Sequence, residues 1–566
     1  MTNRLIILIA GFFLLVACST HEESQQYDLL LTNGMIYDGS GSDPYQGSIA
    51  INGKKIVAVG DLENVVADTV IDVGGKAISP GFINMLSWAA YPLLEDGRSM
   101  GDIKQGVTLE VFGEGSSLGP LSDKMKEGRE NVEWTTFGEG LEYMTEKGIT
   151  PNVASFVGAT TIRVHVLGYE DRAPDEEELM RMQALVRQSM EEGALGLGTS
   201  LIYAPAFYAS TEELIALAQV AAEYDGMYIS HLRSEGDSFI EAVNELITIA
   251  REAEIDAEIY HLKAAGRNNW YKLDQVLQMI DSVNAAGQKV TTNMYNYVAA
   301  STGLDATMPP WVQEGGTQAW IERLQEPQTR ARVLEEMQSA SKEWENFLVA
   351  AGDPDNILLV EFEEDSLKYL TGKTVGEIAE MRGTEPAETI VDLVVQNGTD
   401  IGTVYFLMNE ENVKKQVQLP YMTFGSDARS IAAEGKNLES STHPRTYGNF
   451  ARLLGKYVRE EQVIPLEEAI HKLTQLSAQK LKIDERGTLA PGYYADVVVF
   501  DPETIADKAT FEAPHQYAVG VEHVFVNGTQ VLSQGEHTGA TPGMFVKGPG
   551  FQTTTTDNTG EAVSEK

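Results

Sequence analysis

The sequence predicts an α/β fold, a (β/α)8 TIM-like barrel with a small β-sandwich domain formed by both chain ends. Strand-like and amphipathic helical segments alternate through the middle of the chain. Short β-rich runs separated by Gly, Asn and Asp fill 27–80 and return in 481–551. Two histidines, each at the end of a strand-like run, lie one βαβ length apart at His231 and His261.

Residues 1–17 have the features of a lipoprotein signal peptide. An apolar run, too short to span a bilayer, follows Arg4 and ends at Cys18, the only cysteine of the chain. The ending Leu-Val-Ala-Cys resembles a bacterial lipobox, in which the cysteine is lipidated. An ordinary signal peptide with an incidental cysteine is the alternative. We expect lipidation at Cys18, a tether over 18–26, and a lipid-anchored protein of the cell envelope, at the outer membrane or the periplasmic face.

The expected domain order follows from these segments. The first part of the β-sandwich covers 27–80, the barrel 81–480 and the second part of the β-sandwich 481–551, followed by a polar tail over 552–566 that we expect to be disordered. A long insertion over 303–419, before the last barrel strand, is expected to form a lid or subdomain. The eight candidate barrel strands are AISPGFIN, VTLEVFG, NVASFVG, ALGLGTSL, MYISHL, EIYHLK, KVTTNMYNY and YMTFGSD.

The charge of the chain limits its partners. A formal net charge of −42 argues against nucleic acid and against anionic membrane surfaces. We therefore expect membrane contact only through the lipid anchor, and a small molecule as the partner; the oligomeric state stays open. Because Cys18 is the only cysteine, the mature chain has neither a disulfide nor a thiolate available as a metal ligand.

His231 and His261 form half of a candidate metal site. Two strands joined by a unit of this length lie side by side and parallel, so both imidazoles should emerge at the carboxyl end of the sheet. Glu114 and Asp427 follow two other apolar runs and a Gly in the same way. Glu114 with the two histidines suits a single zinc that keeps one position open, and Asp427 would carry the proton. The alternative is that each is a strand-end residue bonded to a loop.

Several motifs resemble the N-acyl-D-amino acid deacylases (D-aminoacylases) of the amidohydrolase superfamily. The resemblance covers nearly all of the mature chain and implies a metal-dependent hydrolase that cleaves the amide of N-acyl-D-amino acids or closely related small amides. The matching stretches are GALGLGTSLIYAPAFYASTEEL, YISHLRSEG, HLKAAG, MYNYVAASTGL, TFGSDA, HPRTYGNFARLLGKYV, GYYADVVVFDP and VEHVFVNG.

Two departures from that family affect the expected metal site. Leu86 and Trp88 stand where its first barrel strand ends in a His-x-His pair, and Glu114 stands where D-aminoacylases usually have a metal-binding Cys. The resemblance implies that the tightly held metal depends on the Cys position and the two later histidines. We therefore expect one divalent metal, zinc, at Glu114, His231 and His261.

The resemblance also implies roles in substrate binding. Lys263 and Arg445 match positions that hold the substrate α-carboxylate, Tyr203 matches a tyrosine near the scissile carbonyl, and Tyr297 and Ser301 are candidates for further carboxylate contacts. Asp427 would take a proton from metal-activated water and pass it to the departing amine.

Other polar residues near these motifs are given structural roles or left open. His443 is either part of the pocket or a support for it, and we expect Arg233 and Glu235 to form an ion pair. The remaining histidines are interpreted as structural: His165, His471, His515, His523 and His537.

Two other functions remain open from the sequence. One is an amidase of a different substrate class, because the fold supports many substrates. The other is a non-catalytic binding lipoprotein that kept the barrel, which the loss of histidine at Leu86 and Trp88 permits.

Overall fold

The computed structural model describes residues 26–62, 65–129, 132–552, 554–556 and 562–564. The expected signal peptide, the lipidation at Cys18 and nearly all of the tether lie outside these residues. The strands are β1 Gln26–Ile36, β2 Tyr45–Asn52, β3 Lys55–Gly60, β4 Val66–Asp72, β5 Ala77–Pro80, β6 Phe82–Asn84, β7 Val107–Phe112, β8 Asn152–Ser155, β9 Val157–Gly158, β10 Gly196–Ser200, β11 Met227–His231, β12 Asp256–Ile259, β13 Val290–Met294, β14 Ala300–Gly303, β15 Ile357–Glu361, β16 Gly402–Tyr405, β17 Met422–Phe424, β18 Val497–Phe500, β19 Val521–Val526, β20 Thr529–Ser533, β21 Glu536–His537, β22 Thr554–Thr556 and β23 Ala562–Ser564.

Most of the longer helices follow the amphipathic segments of the sequence. The segment from Ser210 becomes a helix because the Ser210 hydroxyl accepts a hydrogen bond from the Glu213 backbone N–H and caps its first turn. The helices are α1 Ala90–Glu95, α2 Met100–Ile103, α3 Asp123–Lys126, α4 Phe137–Lys147, α5 Ala159–Leu167, α6 Glu176–Glu191, α7 Thr211–Ala222, α8 Phe239–Glu252, α9 Lys272–Ala285, α10 Thr317–Gln325, α11 Pro327–Met337, α12 Phe347–Ala351, α13 Val375–Arg382, α14 Pro386–Asn397, α15 Glu410–Val417, α16 Arg445–Arg452, α17 Leu466–Leu473 and α18 Gln475–Lys480.

Both chain ends build the β-sandwich domain. Its sheet runs in the order β21-β20-β19-β18-β5-β1-β2-β3, with β4 beside β1. The two ends of the chain meet where β18 pairs antiparallel with β5, Val497 opposite Pro80. The apolar residues enclosed by this sheet come from both ends and include Leu31, Ile49, Ile56, Ile78, Leu489, Val497, Val499 and Phe525.

The eight predicted barrel strands are all present. They appear as β6-β7-β8 and as β9-β10-β11-β12-β13-β17, joined where β8 and β9 flank Phe156. The barrel closes between β6 and β17, where the Met85 N–H donates to the Phe424 carbonyl over 3.1 Å. The strands β11 and β12 are parallel neighbours, as the spacing of the two histidines predicts. All strand ends that carry candidate site residues therefore lie at one face of the barrel.

The insertion forms a subdomain with its own core. The strands β14, β16 and β15 make an antiparallel sheet, and α10 to α14 pack around it. Its apolar residues form a cluster separate from that of the barrel, including Leu304, Trp320, Val333, Leu359, Ile390 and Tyr405.

Near the carboxyl terminus, β22 and β23 pair as a short hairpin within the tail that we expected to be disordered. No helix among the described residues is long and apolar enough to cross a membrane.

A buried ion pair joins α5 to α7. The Arg163 guanidinium donates from one nitrogen to both carboxylate oxygens of Glu213, over 2.8 and 2.6 Å, and both side chains are almost fully buried. Glu213→Ala leaves that charge without a partner, so we expect it to lower the free energy of unfolding in urea by about 3–5 kcal/mol. Glu170→Ala removes an exposed partner of Arg172 and should cost less than about 1 kcal/mol. Equal losses in the two variants would contradict the assigned role of the pair.

Candidate metal centre and substrate cavity

Three side chains converge at the carboxyl ends of the barrel strands. Glu114 lies two residues after β7, His231 ends β11 and His261 lies two residues after β12. Glu114 Oε1 is 2.8 Å from His231 Nδ1 and 3.0 Å from His261 Nε2, and all three side chains are buried. Their ligand atoms lie within 4.8 Å of one another, which is the only such group of three among the described residues. One carboxylate oxygen and two ring nitrogens form a donor set that suits zinc.

The electrostatics of these groups fit a cation. Burial opposes ionisation of Glu114, but His261 and His231 outweigh it and hold the pKa of this carboxyl below its usual value. Burial and Lys263 act to lower the pKa of His261, yet Glu235 and Glu114 outweigh them and raise it to about 9. The site thus favours a positive charge beside Glu114, which a divalent metal would supply in place of the imidazole proton.

Two of the site residues have left-handed backbones. The φ angles are 32° at His261 and 49° at Asp427, a region that residues other than Gly adopt at a cost of roughly 1–3 kcal/mol. The His261 N–H donates to Asn293 Oδ1 over 2.9 Å, and the Asp427 N–H donates to the Leu86 carbonyl over 2.8 Å. These bonds hold both backbones in positions that turn their side chains toward Glu114.

Asp427 lies beside the triad. Its Oδ1 accepts from the Trp88 indole N–H over 3.0 Å, and its Oδ2 is 2.7 Å from Arg445 Nη1. Burial and the nearby Glu114 raise the pKa of Asp427, against the effect of Arg445. A carboxylate whose pKa is raised above its usual value holds a proton more readily.

These groups open into one cavity of about 730 Å³ between the barrel and the insertion. The structure brings most of the sequence-predicted site residues to its wall. The lining includes Glu114, His231, His261 and Asp427 together with Tyr203, Lys263, Ser301, His443 and Arg445.

The substrate candidates already have partners in this cavity. Lys263 Nζ donates to Glu235 Oε1 over 2.6 Å and lies 2.8 Å from His261 Nδ1. The Tyr203 hydroxyl is 2.7 Å from Thr302 Oγ1, and the Ser301 hydroxyl donates to the Thr403 carbonyl. Arg445 is buried: its Nη1 faces Asp427 Oδ2, its Nη2 donates to the Ser301 carbonyl over 3.1 Å, and its Nε has no acceptor among the described residues. Arg445 therefore retains the Nε donor for an anionic group.

Tyr297 lies outside this cavity lining. Its ring packs edge-on against His443, and its hydroxyl lies 3.5 Å from the Pro444 carbonyl. Tyr295 lines the cavity instead: its buried hydroxyl has no hydrogen-bond partner among the described residues, and its ring centroid lies 4.3 Å from Arg445 Cζ. The structure therefore favours Tyr295 over Tyr297 for contact with a ligand. Both tyrosines follow β13 two residues apart, and the sequence carries no signal that separates them.

The expected ion pair between Arg233 and Glu235 is wrong. Arg233 pairs with Glu245 in α8, with Nε and Oε2 2.9 Å apart. Glu235 is buried and faces the ring nitrogens that point away from Glu114, at 3.1 Å from His261 Nδ1 and 3.7 Å from His231 Nε2. A carboxylate in this position orients ligand histidines, so Glu235 supports the metal site. Glu235 lies in the loop after β11, where the alternation of side chains between the two faces of a strand no longer predicts which side chains meet.

Sequence comparison identifies the family of this barrel. A profile of the Amidohydrolase family matches residues 147–532. The chain belongs to the amidohydrolase family. D-aminoacylase of Alcaligenes xylosoxydans xylosoxydans is 32% identical to it over 529 residues, which cover 92% of this chain and 97% of that protein.

Two solved structures of this family superpose closely on the chain. A structure of D-aminoacylase, described as having a binuclear metal center with one-metal activation and second-metal attenuation, has a TM-score of 0.77 at 31% identity. N-acyl-D-glutamate deacylase from Bordetella bronchiseptica, complexed with zinc and a phosphonate mimic of the tetrahedral intermediate, has a TM-score of 0.77 at 28% identity. Each alignment covers 92% of this chain and 100% of the other, and they confirm the predicted fold class.

Proposed function

We propose that this amidohydrolase cleaves the amide bond of N-acyl-D-amino acids or closely related small amides and holds one divalent metal, zinc, for that reaction. The observation that carries the proposal is the contact of Glu114 Oε1 with both His231 Nδ1 and His261 Nε2 beside Asp427. The D stereochemistry rests on three relatives named D-aminoacylase, N-acyl-D-aspartate deacylase and N-acyl-D-glutamate deacylase, which are 30–32% identical over at least 90% of this chain.

The metal count is supported by the residues at the end of the first barrel strand. Leu86 has an apolar, fully buried side chain, and the Trp88 indole nitrogen carries a hydrogen and offers no lone pair to a metal. Glu114, His231 and His261 are left as a complete set of three protein ligands, the number typical of a catalytic zinc.

Recognition of the substrate α-carboxylate is assigned mainly to Arg445 and secondarily to Lys263. Arg445 is buried at the cavity wall, and its Nε donor has no acceptor among the described residues, so a substrate carboxylate can accept a charge-assisted hydrogen bond there. Tyr295 lies under the guanidinium and adds a hydroxyl donor that burial keeps protonated by raising its pKa.

The reaction follows from these positions. When bound, a divalent metal makes water a nucleophile near neutral pH and polarises the amide carbonyl. Asp427 accepts the water proton at its carboxylate and returns it to the amine nitrogen as the C–N bond breaks. Arg445 holds the substrate carboxylate, and Tyr203, whose ring centroid lies 5.3 Å from that of His231, is assigned to the scissile carbonyl.

We expect Arg445→Lys to raise KM about 10- to 100-fold with a smaller change in kcat. Lysine keeps the charge but has no counterpart of the Nε donor, which removes one charge-assisted hydrogen bond of about 1.5–3 kcal/mol. Steady-state kinetics with an N-acyl-D-amino acid measure both constants. Arg429→Lys is the matched control, because Arg429 also lines the cavity but its guanidinium is bonded to Glu361. An unchanged KM in Arg445→Lys would contradict the assignment.

A lipid-anchored position in the cell envelope belongs to the same proposal. It rests on the lipobox-like ending at Cys18. Cys18→Ser should release the protein from the membrane fraction into the soluble fraction. Membrane association that survives this change would contradict lipidation at Cys18.

A further inference from the structure

Trp88 forms a bridge between the two carboxylates of the site. Its indole Nε1 is 3.0 Å from Glu114 Oε2 and 3.0 Å from Asp427 Oδ1. The indole nitrogen is a donor only, so its single hydrogen is shared between two acceptors that carry negative charge. The side chain is 42% exposed, which places the rest of the ring at the cavity entrance.

Among the described residues, Trp88 is the only hydrogen-bond partner of the two oxygens that it bridges. Glu114 Oε1 faces His231 and His261, and Asp427 Oδ2 faces Arg445 Nη1. Glu114 Oε2 and Asp427 Oδ1 therefore turn toward a common point. Two carboxylates that converge in this way repel each other unless a cation or a hydrogen-bond donor lies between them.

We propose that the Trp88 indole N–H takes the place of a second metal ion, fixes Asp427 relative to Glu114 and closes the site to a second metal. The inference rests on the proposed single-metal hydrolase. In the related D-aminoacylase, a second metal is described as attenuating the enzyme, and Trp88 would spare this chain that loss. A neutral donor leaves Asp427 with more of its negative charge than a divalent cation would, so the carboxylate keeps its capacity to accept a proton.

Leu86 also helps to exclude a second metal ion. Its side chain packs in the apolar barrel interior with Ile83, Leu109 and Val111, and only its backbone carbonyl faces the site, where it accepts from the Asp427 N–H. Neither Leu86 nor Trp88 thus offers a side-chain lone pair to a metal.

The metal test compares the native protein with the double variant Leu86→His, Trp88→His. After equilibrium dialysis against excess zinc, elemental analysis should find one zinc per chain in the native protein and two in the variant. Excess zinc should reduce turnover in the variant and leave native turnover unchanged. Two zinc ions in the native protein, or one in a folded double variant, would overturn the inference. No zinc in the native protein would instead overturn the proposed function and with it this inference.

The positioning test uses Trp88→Phe, which keeps an aromatic ring and removes the shared donor. We expect this variant to keep one zinc per chain and a KM within about twofold, and to lose about 10- to 100-fold in kcat, the effect of one hydrogen bond to a charged group. Trp311→Phe is the matched control, since it removes an indole bond of 2.8 Å to Glu336 in the insertion. A native kcat in Trp88→Phe would overturn the positioning role even if the double variant failed to fold.

Discussion

Asp427→Asn is expected to keep its metal and to lose about 10²- to 10⁴-fold in kcat. The amide occupies the same volume and can accept from Trp88, but it cannot take up the proton of the attacking water. Asp427 is not one of the three candidate metal ligands, Glu114, His231 and His261, so the metal content should remain native. Steady-state kinetics and elemental analysis on the same sample measure both quantities.

The control for this variant is another cavity aspartate. Asp400→Asn changes a residue at the cavity wall in the insertion, whose pKa burial and Asp305 hold well above its usual value. Because Asp400 Oδ1 accepts from the Asp305 backbone N–H over 3.0 Å, which an amide oxygen can also do, the change should leave turnover within a few-fold of native. Near-native turnover in Asp427→Asn would remove Asp427 from the mechanism.

Glu114→Ala is expected to lose both the metal and the activity. The change removes the oxygen that contacts both histidines and leaves two ligands, too few for a tightly held zinc. Because the metal supplies several kcal/mol of transition-state stabilisation, turnover should fall at least about 10³-fold. Metal content after dialysis and initial rates measure the two losses.

Two further variants define the role of Glu114. Glu114→Cys should retain zinc, because a thiolate is a good zinc ligand. Glu361→Ala removes another cavity carboxylate, bonded to Arg429, and should also keep its zinc. Native zinc content in Glu114→Ala would show that the metal is held elsewhere.

Much of the barrel follows from the sequence because its strands are local apolar runs. Each of the eight runs becomes a strand, and the parallel pairing of β11 and β12 follows from the thirty-residue spacing of His231 and His261. A residue at the end of such a strand faces the same edge as its neighbours. Strand position alone therefore predicts that Glu114, His231, His261 and Asp427 lie close together.

The supporting contacts could not be predicted in the same way, because they depend on side chains in loops. Glu235, four residues beyond His231, turns back to both histidines, and Tyr295 rather than Tyr297 reaches the cavity. From the sequence, Trp88 is notable only for the histidine it replaces. Its bond to Glu114 and Asp427 requires the closure of the barrel between β6 and β17, which brings residues 88 and 427 together.

The measurement that tests the central claim most directly is zinc content and hydrolysis of matched N-acyl-D- and N-acyl-L-amino acids on one protein preparation. We predict about one zinc per chain, release of free amino acid from D substrates, and loss of that activity when a chelator removes the metal. Stoichiometric zinc without hydrolysis of any D substrate would point to an amidase of another substrate class. A protein that neither binds zinc nor hydrolyses any of these amides would contradict the account and favour a binding lipoprotein on the same barrel.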